Sequence, residues 1–216
     1  MDKTIAPIAA VETITTEQLG RASDRFIARC RKNAASLPKD ASQQVLEDEG
    51  DALAQEMFEV FHRRVERRSK TIVRRVTVNR DQTPEQMINA TGRKQYVTAA
   101  VLSTMPRQGT GTEEVELYFF NPGRHLTIDE QEQELAAYGL VPPDYYAQVQ
   151  VNIDDPAFAD EHPNGAQWDN KDGQASFVAF DRWLGLRSVD CGHDDFGWLD
   201  RWWFAGVRKS PPQAKK

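Results

Sequence analysis

The sequence has little of what most specialised chemistry requires. Its 216 residues hold two cysteines and four histidines. Cys30 and Cys191 stand 161 positions apart (191 − 30), which excludes a disulfide scaffold and fits a reducing compartment, so a cytoplasmic location is expected. Long apolar runs are also missing. Stretches such as Leu117 to Phe120 fall far below the roughly 20 residues that a membrane-spanning helix needs, so no membrane partner is expected. The opening segment has one lysine, then a short apolar stretch broken by Pro7 and closed by Glu12, too brief for a secretory core. No internal repeat or low-complexity tract occurs.

What is present is charge, and it is segregated. Residues 1 to 60 carry 7 basic and 11 acidic side chains, residues 61 to 108 carry 11 and 3, and residues 109 to 216 carry 9 and 19. The blocks are therefore −4, +8 and −10, which sum to the net −6. The densest basic segment is Arg63, Arg64, Arg67, Arg68, Lys70, Arg74 and Arg75, interrupted only by Glu66. A positive field of this kind attracts an acidic protein surface or a phosphate backbone. It is equally satisfied by the acidic flanks of its own chain, or of a second copy in a homodimer. Overall acidity argues against a dedicated nucleic-acid binder, which leaves nucleic acid as the alternative partner.

Hydrophobic spacing predicts an α+β fold: an N-terminal helical hairpin, then a mostly antiparallel sheet with helices packed on one face. Residues 1–14 read as a flexible arm, 15–69 as the hairpin, 70–208 as the α+β domain and 209–216 as a disordered tail. The run Thr15-Thr16-Glu17-Gln18 predicts a helix start with a threonine as cap and with Leu19, Ala22, Phe26, Ile27 and Cys30 on one face, stopping near Pro38. A second stripe, from Val45 through Leu53, Met57 and Phe61 to Val65, predicts one helix from about Asp40 to Arg68. Strands are expected from Thr71, over Glu114 to Phe120, over Ala175 to Trp183 with Leu186 to Val189 across a turn, and over Trp202 to Val207. Helices are expected from Thr83-Pro84 to Gly92, from Thr127 to Tyr138 and around Tyr145 to Val149. The run from Tyr96 to Met105 reads as strand or buried helix, and Asn152 to Asp172 as a long surface loop.

Near the end of the chain stand Phe177-Val178-Ala179-Phe180, Asp194-Asp195-Phe196-Gly197-Trp198, and the run from Arg201-Trp202-Trp203-Phe204 to Lys209. This stretch of about 40 residues resembles the end of a family of small bacterial proteins with no assigned activity, and a weaker likeness extends over Val73 to Gly92. The resemblance implies a domain closing on a tryptophan-rich strand and carries no functional residue across.

Cys191, His193, Asp194 and Asp195 with Asp160, Glu161 and His162 include metal-ligand types, but no paired zinc spacing occurs, so neither a metal nor another cofactor is expected. Cys191 with His193 or His162 as base, or a carboxylate pair from the Asp154–His162 loop, would serve a hydrolase; neither has a nucleophile signature. The Gln108-Gly109-Thr110-Gly111-Thr112 turn lacks the lysine and helix of a phosphate loop. In Trp202-Trp203, successive strand residues face opposite sides, so one of the two must find cover outside the core or form a contact surface. The expectation is a non-enzymatic interaction protein, binding through Arg63, Arg64, Arg67, Arg68, Lys70, Arg74 and Arg75 together with Trp202 and Trp203.

Overall fold

The computed structural model describes residues 13–66, 69, 71–193 and 197–208. Most of the expected arm, the expected tail, Arg67, Arg68, Lys70 and Asp194 to Phe196 lie outside the described residues, as does the side chain of Arg63. The chain divides into a helical unit ending at Ser69 and an α+β unit beginning at Lys70.

In the helical unit, α1 (Thr16–Lys32) starts at the expected threonine cap, and the structure adds a capping box in which the Thr15 hydroxyl accepts from Gln18 N–H and the Gln18 side chain accepts from Thr15 N–H. A short 3-10 turn over Ala34–Ser36 leads through Pro38 to α2 (Lys39–Asp48) and α3 (Gly50–Glu66). The single second helix expected from Asp40 is thus divided at Glu49. The acidic run Glu47-Asp48-Glu49 meets Gly50 there, and glycine is a weak helix former. None of the described side chains of this unit is buried.

The α+β unit is built on an eight-stranded mixed sheet. Its strands are β1 (Thr71–Asn79), β2 (Lys94–Val97), β3 (Thr112–Phe120), β4 (Leu140–Val141), β5 (Asn164–Asp169), β6 (Ala175–Trp183), β7 (Leu186–His193) and β8 (Trp203–Arg208). Their order is β1-β3-β8-β5-β6-β7-β2, with β4 also paired to β8. The β2–β7 and β5–β8 pairs are parallel and the other pairs antiparallel. Both readings of Tyr96 to Met105 are realised in turn: β2 ends at Val97 and the one-turn helix α5 (Ala99–Leu102) follows.

Alternation sorts the two faces of the sheet. Ile72, Val76, Leu117, Phe119, Val178, Phe180, Val189, Cys191 and Ala205 point to the main core, where α4 (Pro84–Ala90), α5, α7 (Tyr145–Asp154) and α8 (Phe158–Glu161) cover them. The opposite face carries Tyr118, Phe120 and Phe204, and there α6 (Ile128–Ala137) packs, with Leu135 and Leu140 against Gly206 and Tyr138 stacked on Phe120 at 4.2 Å. A Cβ at residue 206 would lie 2.8 Å from both leucines, so glycine lets this helix approach the sheet.

The expected loop from Asn152 to Asp172 is instead the end of α7, all of α8 and all of β5. Asn152, His162 and Asn164 of this stretch are buried. Asn164 Oδ1 accepts from Gln148 Nε2 and from Asn152 Nδ2, both at 3.0 Å, and all three side chains are fully buried. Arg93, 6% exposed, donates to Pro156 O at 2.9 Å and Asp181 O at 3.2 Å, and burial lowers its pKa. Arg80 and Asp144, buried together, form an ion pair, with Glu113 accepting from Arg80 Nη1 at 2.8 Å. Polar composition signals loop only when the groups meet water; here they satisfy one another. Asn164→Ala strips the shared acceptor from two buried amides and should cost about 2–3 kcal/mol, read as a lower urea midpoint at unchanged slope.

Candidate functional site

The second face of the sheet is open at its β6-β7-β2 end. There β6 presents Phe177, Ala179, Asp181 and Trp183, and β7 presents Ser188 and Asp190, because Asp181 pairs with Ser188 and Ala179 with Asp190. Tyr96 stands opposite Asp190 on β2. The segment leading into β8 folds over this floor and brings Gly197, Trp198, Arg201 and Trp202. Together these residues and Leu184 line a hollow of about 480 Å³.

Trp198 fixes the inner wall. It is 3% exposed, its indole N–H donates to Gln167 Oε1 at 2.8 Å, and its backbone exchanges hydrogen bonds with Leu126. Two glycines make room for it. A Cβ at residue 165 would fall 2.3 Å from the Trp198 ring, and Gly197, at φ +76°, would place one 2.4 Å from Leu126 O. Around Trp198, Trp202 and Phe177 stand edge-on, at 5.3 Å and 5.9 Å.

The polar groups of the hollow are unequally satisfied. Asp181 accepts from the Ser188 hydroxyl and, at 3.3 Å, from Arg201 Nη2. The Arg201 guanidinium also lies 5.2 Å from the Trp202 ring centre and 5.9 Å from that of Trp183. Among the described residues, no cation pairs with Asp190. Asp190 is open to solvent at the rim of the hollow, yet desolvation by surrounding protein and then the nearby Asp181 charge push its carboxyl above the usual aspartate range.

The rim carries backbone strain. β6 and β7 join through Leu184 and Gly185, both at positive φ, 48° and 82°. That is the backbone of a tight hairpin turn, which ordinarily selects asparagine or glycine at its first position. Leu184 occupies it while 88% exposed, beside Trp183 and Leu186, each more than half exposed. An apolar, strained and solvent-facing residue at the lip of a cavity is unexplained by packing.

No family model, curated protein or solved structure matches this chain.

Of the residues expected to bind, Trp202 lies in the hollow and Trp203 lies on the other face, half-buried, with its ring 4.9 Å from that of His162. The alternation read from the sequence places the two tryptophans on opposite sides. The basic segment is spread differently. Arg64 is exposed on α3, whereas Arg74 and Arg75 point to opposite faces of β1. Arg74 lies over Phe158 at 4.7 Å and 3.9 Å from Asp155, and Arg75 donates to Glu116 at 2.7 Å, so both are engaged by the domain itself.

The hydrolytic and metal readings find no assembled centre among the described residues. No cluster of three or more histidine, cysteine, aspartate or glutamate side chains is suited to hold a metal. Cys191 is buried in the main core, and burial followed by the Asp190 charge pushes its thiol up to about 12, so it is a protonated core residue at neutral pH. Asp160 is bound by Arg187 at 2.8 Å and Arg182 at 3.4 Å, a surface tie between α8 and the β6–β7 hairpin. Also among the described residues, no helix is long and apolar enough to cross a membrane.

Asp181, Asp190, Ser188, Phe177 and Tyr96 were not singled out from the sequence. A signal for Phe177 and Asp181 existed: β6 alternates Phe177, Ala179, Asp181 and Trp183 with an apolar Val178 and Phe180, so both faces of one strand carry bulk. Two outcomes are expected here. In a Cys30→Ser chain, Cys191 should resist a thiol reagent at pH 7.5 until denaturant is added. Leu184→Asn should raise stability by about 1 kcal/mol, measured by chemical denaturation, because asparagine tolerates the left-handed backbone.

Proposed function

We propose that the protein is a non-enzymatic binding protein whose α+β unit takes up an organic cation, an amine or guanidinium group, in the hollow on the β6-β7-β2 face. The observation that carries this reading is the pairing of a spare carboxylate with ring faces that already hold a cation. Arg201 lies against Trp183 and Trp202 with Asp181 as its counter-charge, and among the described residues Asp190 has no such companion. Aromatic faces and carboxylates both favour positive charge, and a delocalised or alkylated cation loses little hydration on entering. The Asp190 carboxyl is raised by desolvation first and by the neighbouring Asp181 charge second, and a cation between the two acids would offset both.

This reading keeps the expectation of a non-enzymatic protein, replaces the expected macromolecular partner with a small cation, and moves the binding surface from the arginine segment to the tryptophan-rich face. It also accounts for Leu184, an exposed apolar side chain placed where it would close over the alkyl part of a ligand.

Calorimetric titration with agmatine and choline, against the uncharged tert-butyl analogue of choline, tests the reading. Saturable binding of a cation is expected, weakened roughly tenfold or more by Asp190→Asn. Affinity should also fall with acid, as pH drops through the raised carboxyl value. Equal binding of the neutral analogue, or an unchanged affinity in Asp190→Asn, would overturn it. The sign of the stability effect is opposite. A carboxyl with a raised folded pKa loses stability as pH rises through that value, so Asp190→Asn should melt at or above the parent temperature at pH 7.

A further inference from the structure

The charges that face the hollow are of both signs and incompletely paired. Among the described residues, its charged lining consists of Asp181 and Asp190 from the floor and Arg201 from the segment that folds over it. Lys94, which alternation puts on the same face of β2 as Tyr96, lines a separate depression with Arg182 and Arg187. Arg201 and Asp190 share the hollow without forming an ion pair with each other. Also among the described residues, the one hydrogen bond of the Arg201 side chain runs from Nη2 to Asp181 at 3.3 Å, which leaves Nε and Nη1 without an acceptor. No side chain there bonds to Asp190, and the donor beside its carboxyl is the backbone N–H of Cys191.

A ligand with a positive group alone answers half of this arrangement. At Asp190 it finds a carboxylate, but it also lies beside the Arg201 guanidinium, and like charges in one cavity oppose each other. A carboxylate on the same ligand removes that opposition, because a guanidinium binds carboxylate through parallel N–H donors and Asp181 engages only one of its nitrogens. The guanidinium is also held between the Trp202 and Trp183 rings, which limits its freedom before a ligand arrives. Trp198, Trp202 and Phe177 line the same hollow and offer apolar surface to the carbon atoms of a ligand.

We infer that the ligand of the hollow is a zwitterion of the amino-acid type, whose cationic group meets Asp190 and whose carboxylate meets Arg201. The inference rests on the cation-binding reading above and narrows it to cations that carry their own carboxylate. A volume of about 480 Å³ admits such a molecule and lies within the range of small-molecule sites.

Calorimetric titration of the full chain with two matched pairs tests this: arginine against agmatine, and glycine betaine against choline, the first of each pair carrying a carboxylate that the second lacks. The carboxylate-bearing member is expected to bind roughly tenfold or more tighter in both pairs, although it carries less positive charge. In Arg201→Gln that preference should vanish, while agmatine and choline bind at least as tightly as in the parent, since the cation beside them is gone. Retained binding of those two ligands shows that the wall of the hollow is intact in the variant, and the parent comparison holds whether or not the variant folds. Asp190→Asn should weaken all four. Agmatine and choline binding as tightly as arginine and betaine in the parent would overturn the zwitterion and leave the cation reading standing. An unchanged preference in Arg201→Gln would place the carboxylate elsewhere and overturn the inference too. Binding of none of the four would overturn both the inference and the reading beneath it.

Discussion

Strand β8 holds the α+β unit together. It pairs with β3 on one side and with β5 and β4 on the other, and without it the sheet falls into two pieces, a β1–β3 ribbon and a β5-β6-β7-β2 sheet. Its residues serve both faces at once. Ala205 enters the main core, Phe204 and Gly206 meet the covering elements opposite, and Trp203 closes on His162. Adjacent positions of this one strand therefore support different hydrophobic layers, Ala205 the main core and Phe204 the opposite one. The two glycines opposite tryptophan and leucine, Gly165 and Gly206, follow from the same demand, since both faces of the central strands must admit close neighbours.

That two-sided construction also explains where a site can form. The main core consumes one whole face of the sheet, and α6 with the Trp198 segment consumes half of the other. The remaining half lies over β6, β7 and β2, where the sequence places aromatic and acidic residues instead of another helix. Asp190 and Leu184 are each suboptimal for the fold alone: one carboxyl is pushed towards protonation and one leucine is held in a left-handed conformation. Residues that work against stability concentrate where something other than stability constrains them.

The elements with strong local signals were readable in advance. The helices expected after a threonine cap start at Thr15, Thr83 and Thr127, and the strands with clear alternation occur at their expected places. What could not be read depends on distant partners. Asn164, Asn152 and Gln148 look like loop residues until they are brought together inside the domain, and Asp144 looks like a surface acid until Arg80 reaches it. Likewise the hollow joins Tyr96, Asp181, Asp190 and Arg201 across more than 100 positions (201 − 96), a grouping set by strand order and absent from any local window. The basic segment shows the converse: a dense run of charge in sequence is dispersed by alternation once part of it becomes a strand.

The central place of β8 has a kinetic consequence. Phe119 pairs with Ala205, 86 positions later (205 − 119), whereas the β6–β7 hairpin closes through two residues. Hairpins of that kind form in about 1–10 μs, while a strand inserted between two distant neighbours must first close long loops, which slows the final step. Trp198, Arg201 and Trp202 arrive on the segment that feeds this strand. The hollow is accordingly among the last features to assemble, and a chain arrested with only its local hairpins would possess the acidic floor without the tryptophan walls.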